Sequence, residues 1–428
     1  MSEAGDCGWR KRPFRSICFK LVNGGTPDTG VSAYWNGATP WVTGADFISN
    51  GIGEIRRHVT EAGIRSSATS VVTKGNLLIV TRTGVGKLAI APFDVAISQD
   101  ITGAYISPSE ADTGFIYYVL QRELAELKKL NQGTSINGII RSDLENHEVH
   151  VPISLYEQRR IAAILTSIDK AIEKTEALIE KHQQIKAGLM HDLFTCGVLP
   201  NGQLRPPRDQ APELYQETAI GWIPKEWQYE LLDRLAIRGS GHTPSKSYPE
   251  YWNGGVKWVS LADSHRLDKL YISATDLEIS HKGIQNSSAV LHPAGIVVLS
   301  RDAGVGKSAI TTEPMAVSQH FMCWKCEQKM DNHYLYYWLQ FNKRYFENVA
   351  MGSTILTIGL PYFKKLRIAC PIDRSEQVAI AKKLKAIDLH VFRLQDDLGK
   401  KKQEKLGLMQ DLLTGKVQVN TTYPESLA

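Results

Sequence analysis

The sequence predicts two mixed α/β (α+β) heads, each followed by one long helix, the two helices pairing as an antiparallel coiled coil. Three observations predict this. The 428-residue chain repeats itself at about half its length. Each repeat holds short apolar runs that end in glycine-rich turns. Each repeat then closes on a long segment with a four-three spacing of seam positions.

The repeat is read from matched motifs. Tyr34-Trp35-Asn36-Gly37 recurs as Tyr251-Trp252-Asn253-Gly254, Gly84-Val85-Gly86-Lys87 as Gly304-Val305-Gly306-Lys307, and Leu189-Met190-His191-Asp192-Leu193 as Leu408-Met409-Gln410-Asp411-Leu412, at offsets of 217, 220 and 219. In order along each head, Gly8-Trp9 aligns with Glu226-Trp227. Asn23-Gly24-Gly25-Thr26-Pro27 and Gly241-His242-Thr243-Pro244 read as loops. Pro40-Trp41-Val42-Thr43 and Lys257-Trp258-Val259-Ser260 read as short strands, and the recurring tryptophans Trp35, Trp41, Trp252 and Trp258 as core. Asn76 to Thr81 and Ala294 to Ser300 are apolar runs of strand length. Phe115 to Leu130 and His333 to Phe346 read as amphipathic helices.

Val151-Pro152 and Cys370-Pro371 close the heads. Beyond them Ile161, Leu165, Ile168, Ile172, Thr175, Ile179, His182, Lys186, Leu189 and Leu193 alternate spacings of four and three. Ile380, Leu384, Ile387, Val391, Leu394, Leu398, Lys401, Lys405, Leu408 and Leu412 repeat that register 219 residues later. This is coiled-coil spacing, and one register in both copies favours the helices pairing with each other. The expected boundaries are 1–152 for head one, 153–196 for the central helix and 197–226 for a Pro- and Gly-rich linker. Head two follows at 227–371, the C-terminal helix at 372–416 and a tail at 417–428.

Charge is nearly balanced, 50 Lys+Arg against 45 Asp+Glu, which permits nucleic-acid binding without demanding it. The six cysteines are unevenly placed between the copies, so no disulfide framework is expected and the chain reads as reduced and cytoplasmic. No apolar run is long enough for a membrane span. Gly84-Val85-Gly86-Lys87 and Gly304-Val305-Gly306-Lys307 are not phosphate loops. The glycine required five residues before the Gly of Gly-Lys is Thr81 in one copy and Arg301 in the other. They read as tight turns whose glycines take positive φ. Arg82 and Lys87, with Arg301 and Lys307, flank them and are candidates for DNA contact. Further candidates are Arg56, Arg57, Lys74, Thr83, Ser98 and Gln99 in head one, and His281, Lys282, Asp302, Ser318 and Gln319 in head two. Cys323-Trp324-Lys325-Cys326 lacks partners for a zinc or redox site and reads as strand. His147-Glu148-Val149-His150 lacks zinc spacing and reads as surface. No glycine-rich methyl-donor loop, no Pro-Pro-aromatic motif and no hydrolytic triad is present, so a binder rather than a catalyst is expected.

The duplicated order of motifs resembles the specificity (S) subunit of type I restriction-modification systems. The resemblance rests on Gly25-Thr26-Pro27, Thr243-Pro244-Ser245, the two Tyr-Trp-Asn-Gly motifs and the tryptophans after them. It also rests on Tyr156-Glu157-Gln158-Arg159-Arg160-Ile161-Ala162 with Ser375-Glu376-Gln377-Val378-Ala379-Ile380-Ala381, on Ile220-Gly221-Trp222-Ile223-Pro224-Lys225-Glu226-Trp227, and on Gly407 to Gly415. The resemblance implies two target recognition domains, each reading half of a split double-stranded DNA target. It implies helices that set the gap and dock two methyltransferase (M) subunits, on faces such as Lys382-Lys383 and Lys400-Lys401-Lys402. Up to two restriction (R) subunits join, and no membrane is involved. No cofactor is expected on this chain: S-adenosylmethionine belongs to M, ATP and magnesium to R. The alternatives are the DNA-binding subunit of a type II-like system with a fused cleavage and methylation partner, or a non-enzymatic coiled-coil adaptor. Ile161 to Leu193 is 33 residues, about 50 Å of helix. That is on the order of 15 base pairs, leaving a spacer of roughly 5–9 by the same helix-length arithmetic.

Overall fold

The computed structural model describes residues 8–48, 51–82, 86–130, 138–352 and 356–419. Two compact units divide the chain: residues 1–176 with 397–428, and residues 177–396. Each unit holds one head, the root of its own long helix and the far end of the other.

In the first head, strands Cys18–Asn23, Ile101–Ile106, Leu77–Val80 and Leu88–Ile90 form one antiparallel sheet in that order. A second sheet runs Arg57–Val59, Trp35–Val42, Val95–Ile97, Ser70–Val72, with its central pair parallel. Trp9–Pro13 pairs with Glu148–Pro152, closing the head where the helix begins. The second head repeats the plan. Ala236–Ser240, Phe321–Cys326, Val297–Ser300, Ser308–Thr311 and Tyr271–Ile272 form the larger sheet; Leu277–Ile279, Trp252–Val259 and Ala316–Val317 form the smaller. Trp227–Leu231 pairs with Arg367–Pro371, and Trp227 faces Pro371 as Trp9 faces Pro152.

The repeated Tyr-Trp-Asn-Gly motif is a backbone device. Asn36 and Asn253 adopt φ of 62° and 56°, in the left-handed region that asparagine tolerates. The pairing register of each strand shifts just there, between Trp35 and Thr39 and between Trp252 and Val256. Both tryptophan pairs then meet edge-to-face at 5.2 Å, with Trp41 and Trp258 buried. The glycine-rich turns join antiparallel strands in both heads, with Gly86, Gly304 and Gly306 at positive φ.

The long helices span Leu155–Thr195 and Arg374–Leu412. Every seam position expected from the four-three spacing is buried or half-buried. The pairing is antiparallel within each unit: Lys405 meets Asp169 and Lys402 meets Glu176 in the first, while Lys186 meets Asp388 in the second. The helix ends also complete the head cores. Ile161 and Leu165 share a cluster with Phe115, Leu120, Met409 and Leu412. Ile380 and Leu384 share one with Leu193, Phe194, Trp227 and Tyr334. Gln158 and Gln377, both fully buried, splice helix to head. Each donates from Nε2 to the carbonyl of the preceding proline, Pro152 or Pro371, at 2.8 and 2.9 Å.

Three expectations are revised. The amphipathic stretch His333 to Phe346 is two helices, Asn332–Phe341 and Lys343–Val349, parted at Asn342, whose side chain donates to the Trp338 carbonyl. His147 and His150 are not surface residues. They flank and enter the closing strand, where His147 meets Glu123 at 2.7 Å and His150 packs 5.1 Å from Trp9. The stretch after the central helix carries structure of its own, a hairpin of Tyr215–Thr218 and Gly221–Pro224.

Candidate nucleic-acid interface

Two turns cross at one corner of each head. The loop through Gly24 and Gly25 passes so close to the turn Ile97–Asp100 that a Cβ on Gly24 would meet the Ile97 and Ser98 carbonyls. Gly241 approaches the Val317 carbonyl in the same way. Past the crossing, Thr26 Oγ1 donates to Gln99 Oε1, and Thr243 Oγ1 to Gln319 Oε1. Both glutamines are exposed. With Oε1 engaged by threonine, the Gln99 Nε2 donors face outward, while Gln319 Nε2 also meets His320 Nε2 at 3.4 Å and keeps its second N–H for an outside partner. Ser98 and Ser318, by contrast, are buried and serve the turn, each backbone N–H bonding a strand carbonyl.

The hairpin cations divide by use. Arg82 is exposed. Thr83 lies outside the described residues. Lys87 is half-buried and donates to the carbonyls of Gly44 and Phe47 at 3.1 and 2.8 Å. Lys307 donates to the Ser264 carbonyl at 3.2 Å. Arg301 is 16% exposed and grips the Gln319 and Ile358 carbonyls, each at 3.0 Å. Asp302, buried, accepts from His320 Nδ1 at 2.7 Å. Lys87, Arg301 and Lys307 thus tie their turns to neighbouring segments of the same head.

The heads diverge in charge on one edge strand, Arg57–Val59 beside Trp35–Val42 in head one and Leu277–Ile279 beside Trp252–Val259 in head two. Trp41 pairs with Arg57, and Trp258 pairs with Leu277, so these positions are equivalent. Head one presents Arg56, Arg57 and His58 there; head two presents Asp276, Leu277 and Glu278, with the same pattern of exposure. Arg56 pairs with Asp46 at 2.5 Å, and the Arg57 guanidinium lies 5.4 Å from the Trp35 ring centroid. In head two the acid at 276 is met by Arg266. A ledge of opposite charge therefore stands on the same scaffold. Sequence inspection singled out Arg56 and Arg57 but not Asp276 to Glu278; aligning the copies at an offset of 220 would have found them.

Lys74 is exposed at the turn before Leu77. His281 and Lys282 are exposed on the short helix His281–Gln285, capped by Ser280, whose Oγ accepts from the Gly283 N–H at 3.0 Å. Lys282 also meets Glu250 at 3.3 Å. The Cys323-x-x-Cys326 pair lies in a strand, and burial pushes both thiols up to about 12, so neither supplies a thiolate. Among the described residues no group of three or more His, Cys, Asp or Glu is arranged to hold a metal ion. No described helix is long and apolar enough to cross a membrane.

The model of the type I restriction modification DNA specificity domain matches residues 8–182 and again 224–404. The chain belongs to the type I restriction-modification specificity-subunit family. It carries two copies of the family's domain, one per head. The MjaVIII specificity subunit of Methanocaldococcus jannaschii is 25% identical over 413 residues, covering 94% of this chain and 91% of that one. The MjaIX specificity subunit of the same organism is 29% identical over 165 residues, and that match spans 38% of each protein. Among solved structures, the type I S subunit of M. genitalium superposes with a TM-score of 0.61 at 16% identity, over 98% and 99% of the two chains. A chain from a structure described as the basis of complex assembly and conformational transition of the type I R-M system superposes at 0.56, also at 16% identity, over 96% and 98%. These superpositions place the fold in the same S-subunit architecture.

Proposed function

We propose that this chain is the non-catalytic DNA-recognition subunit of a type I complex, its two heads binding the two halves of a split target. The observation that carries this is the pair of edge strands: one scaffold, with Arg56-Arg57-His58 on one copy and Asp276-Leu277-Glu278 on the other. Arginine donates in a fork to guanine, carboxylates accept from cytosine amines, and apolar side chains meet the thymine methyl, so the two ledges favour different bases. The exposed Thr26–Gln99 and Thr243–Gln319 corners are the same in both heads. They suit the feature that every half-site shares, the phosphodiester backbone. Arg82, Lys74 and Lys282 add exposed cationic side chains for the same purpose, and His281 an exposed imidazole N–H.

The long helices scaffold two M subunits, which carry S-adenosylmethionine; R subunits bring ATP, magnesium and cleavage. Lys382 and Lys383 are exposed and suit docking of M, whereas Lys401 and Lys402 are engaged with Asp397 and Glu176. The helix length sets the spacer. The test is methylome sequencing of a host expressing this chain with its M partner. A bipartite adenine-methylated motif with a fixed spacer is expected, and the purified chain with S-adenosylmethionine alone should methylate nothing. A contiguous motif, or methylation by the chain alone, would overturn the assignment.

A further inference from the structure

Lysine at an apolar seam position is costly unless it is paired, and a single polar residue in a seam is a known means of fixing register. Two seam positions here are lysines in equivalent places, Lys186 and Lys405. Each reaches an aspartate on the facing helix. Lys405 Nζ meets Asp169 Oδ1 at 2.7 Å, a charge contact rather than an aligned hydrogen bond. Lys186 Nζ meets Asp388 Oδ1 at 2.5 Å. The other oxygen of each aspartate accepts a tyrosine hydroxyl from the head: Tyr118 at 2.9 Å and Tyr337 at 2.8 Å. Each lysine also lies against the ring of that tyrosine, at 5.8 and 5.5 Å from the centroid. Burial and the adjacent aspartate raise both tyrosines above their usual range, so the hydroxyls stay protonated and donate. Three elements thus meet at one carboxylate in each unit: the head's helix, its own long helix and the other long helix.

We propose that the Lys405–Asp169–Tyr118 and Lys186–Asp388–Tyr337 triads are positioning groups that fix the base-pair gap between the half-sites, the lysines by setting helix register and the tyrosines by pinning each head to it. This rests on the reading of the chain as a bipartite DNA-recognition subunit. A shift of one helix by a turn would leave both aspartates without their lysines and both lysines in an apolar seam. The arrangement therefore penalises every register but one, whereas an all-apolar seam tolerates slippage. Thr175 and Lys401 bond within their own helices, to the Ala171 carbonyl and Asp397, and His182 meets His390 of the facing helix edge-to-face at 4.4 Å without an ion pair.

The experiment uses the full complex of this chain with its M partner, on a DNA library carrying both half-sites separated by spacers of every length. Three forms are compared: unsubstituted, Lys186→Met with Lys405→Met, and Tyr118→Phe with Tyr337→Phe. The unsubstituted complex should methylate one spacer length. Both variants should keep the half-sites but methylate neighbouring spacers about fivefold more than the unsubstituted complex does, the scale of one lost ion pair or hydrogen bond. The methionine variant leaves Asp169 and Asp388 without their cations and should therefore lose stability, as removal of one partner of a buried pair does. The isosteric phenylalanine variant supplies the result should the methionine one misfold. Spacer profiles identical to the unsubstituted complex would overturn the triad proposal. If the unsubstituted complex itself showed no split site, the functional reading would fail instead.

Discussion

The two heads share a backbone plan but not the way each is closed. In head two, Glu376 gathers three donors: the Val198 N–H at 2.9 Å, Trp227 Nε1 at 3.0 Å and Arg205 at 3.3 Å. Arg205, buried, also pairs with Glu226 at 2.5 Å and donates to the Cys196 carbonyl. The equivalent carboxylate of head one, Glu157, faces Trp9 with burial holding its pKa above the ordinary range. The stretch after the central helix thus contributes a cation to the second closure. The same Glu-Gln motif is an ion-pair hub in one copy and a partly desolvated acid in the other, which teaches that matched motifs in a repeat fix geometry and leave charge free to diverge.

The largest expected effect follows from this hub. Arg205→Ala leaves Glu376 and the Trp227 corner without their cation. It should destabilise the second unit by about 3–5 kcal/mol, as removal of one partner of a buried pair does. Hydrogen exchange read separately over residues of each unit checks it: protection should fall in the second unit and hold in the first. Equal loss in both would break the contrast.

Exchanging the ledges tests the other divergence. Replacing Arg56-Arg57-His58 with Asp-Leu-Glu should abolish recognition of one half-site and leave the other intact. The loss should be about 1–3 kcal/mol for each bidentate base contact removed. Binding to a panel of half-site variants is the measurement; unchanged preference would show that base reading lies elsewhere on the head. A smaller and uniform change is expected at the shared corners. Gln99→Ala and Gln319→Ala should each weaken binding by about 0.5–1.5 kcal/mol, the net worth of one hydrogen bond. The loss should be the same for every sequence; a base-dependent loss would move these residues from backbone anchoring to readout.

What was legible in the sequence follows from range. The seam was readable because burial recurs at every fourth and third residue of a single helix, a local signal. The heads were readable as units because the motifs recur, and the Tyr-Trp-Asn-Gly bulge is set within four residues. The hub was not readable: Arg205 looks like one more charge in a Pro-rich linker, and Glu376, one of its partners, lies on the C-terminal helix. The bracing contacts of Arg301 were not readable for a related reason. Its residue type suits DNA, but its guanidinium is turned onto the Gln319 and Ile358 carbonyls, contacts that only the folded loop creates. The ledge was half legible. Arg56 and Arg57 stand out by type, but their meaning comes from comparison with Asp276 and Leu277, whose equivalence rests on strand register.

The smallest effect is also the sharpest comparison, because one substitution should carry opposite signs in the two copies. Burial raises the folded-state pKa of Glu157 above its unfolded value, with the Trp9 hydrogen bond opposing. A group so shifted contributes stability that is fully present below the unfolded pKa, about 4.3 for glutamate. That contribution is lost as pH rises through the folded pKa. At neutral pH the ionised Glu157 therefore works against folding. Glu157→Gln removes the charge, keeps an acceptor for Trp9, and should leave head one slightly more stable at pH 7. The difference should shrink as pH falls and wild-type Glu157 takes up its proton. Glu376→Gln does the reverse: it strips the carboxylate from Arg205 and should destabilise head two at pH 7. Protection of the strands Trp9–Pro13 and Trp227–Leu231 in hydrogen exchange, at pH 7 and at pH 4.5, reads both arms. Loss of protection at Trp9–Pro13 in Glu157→Gln at pH 7 would show that the two closures work alike.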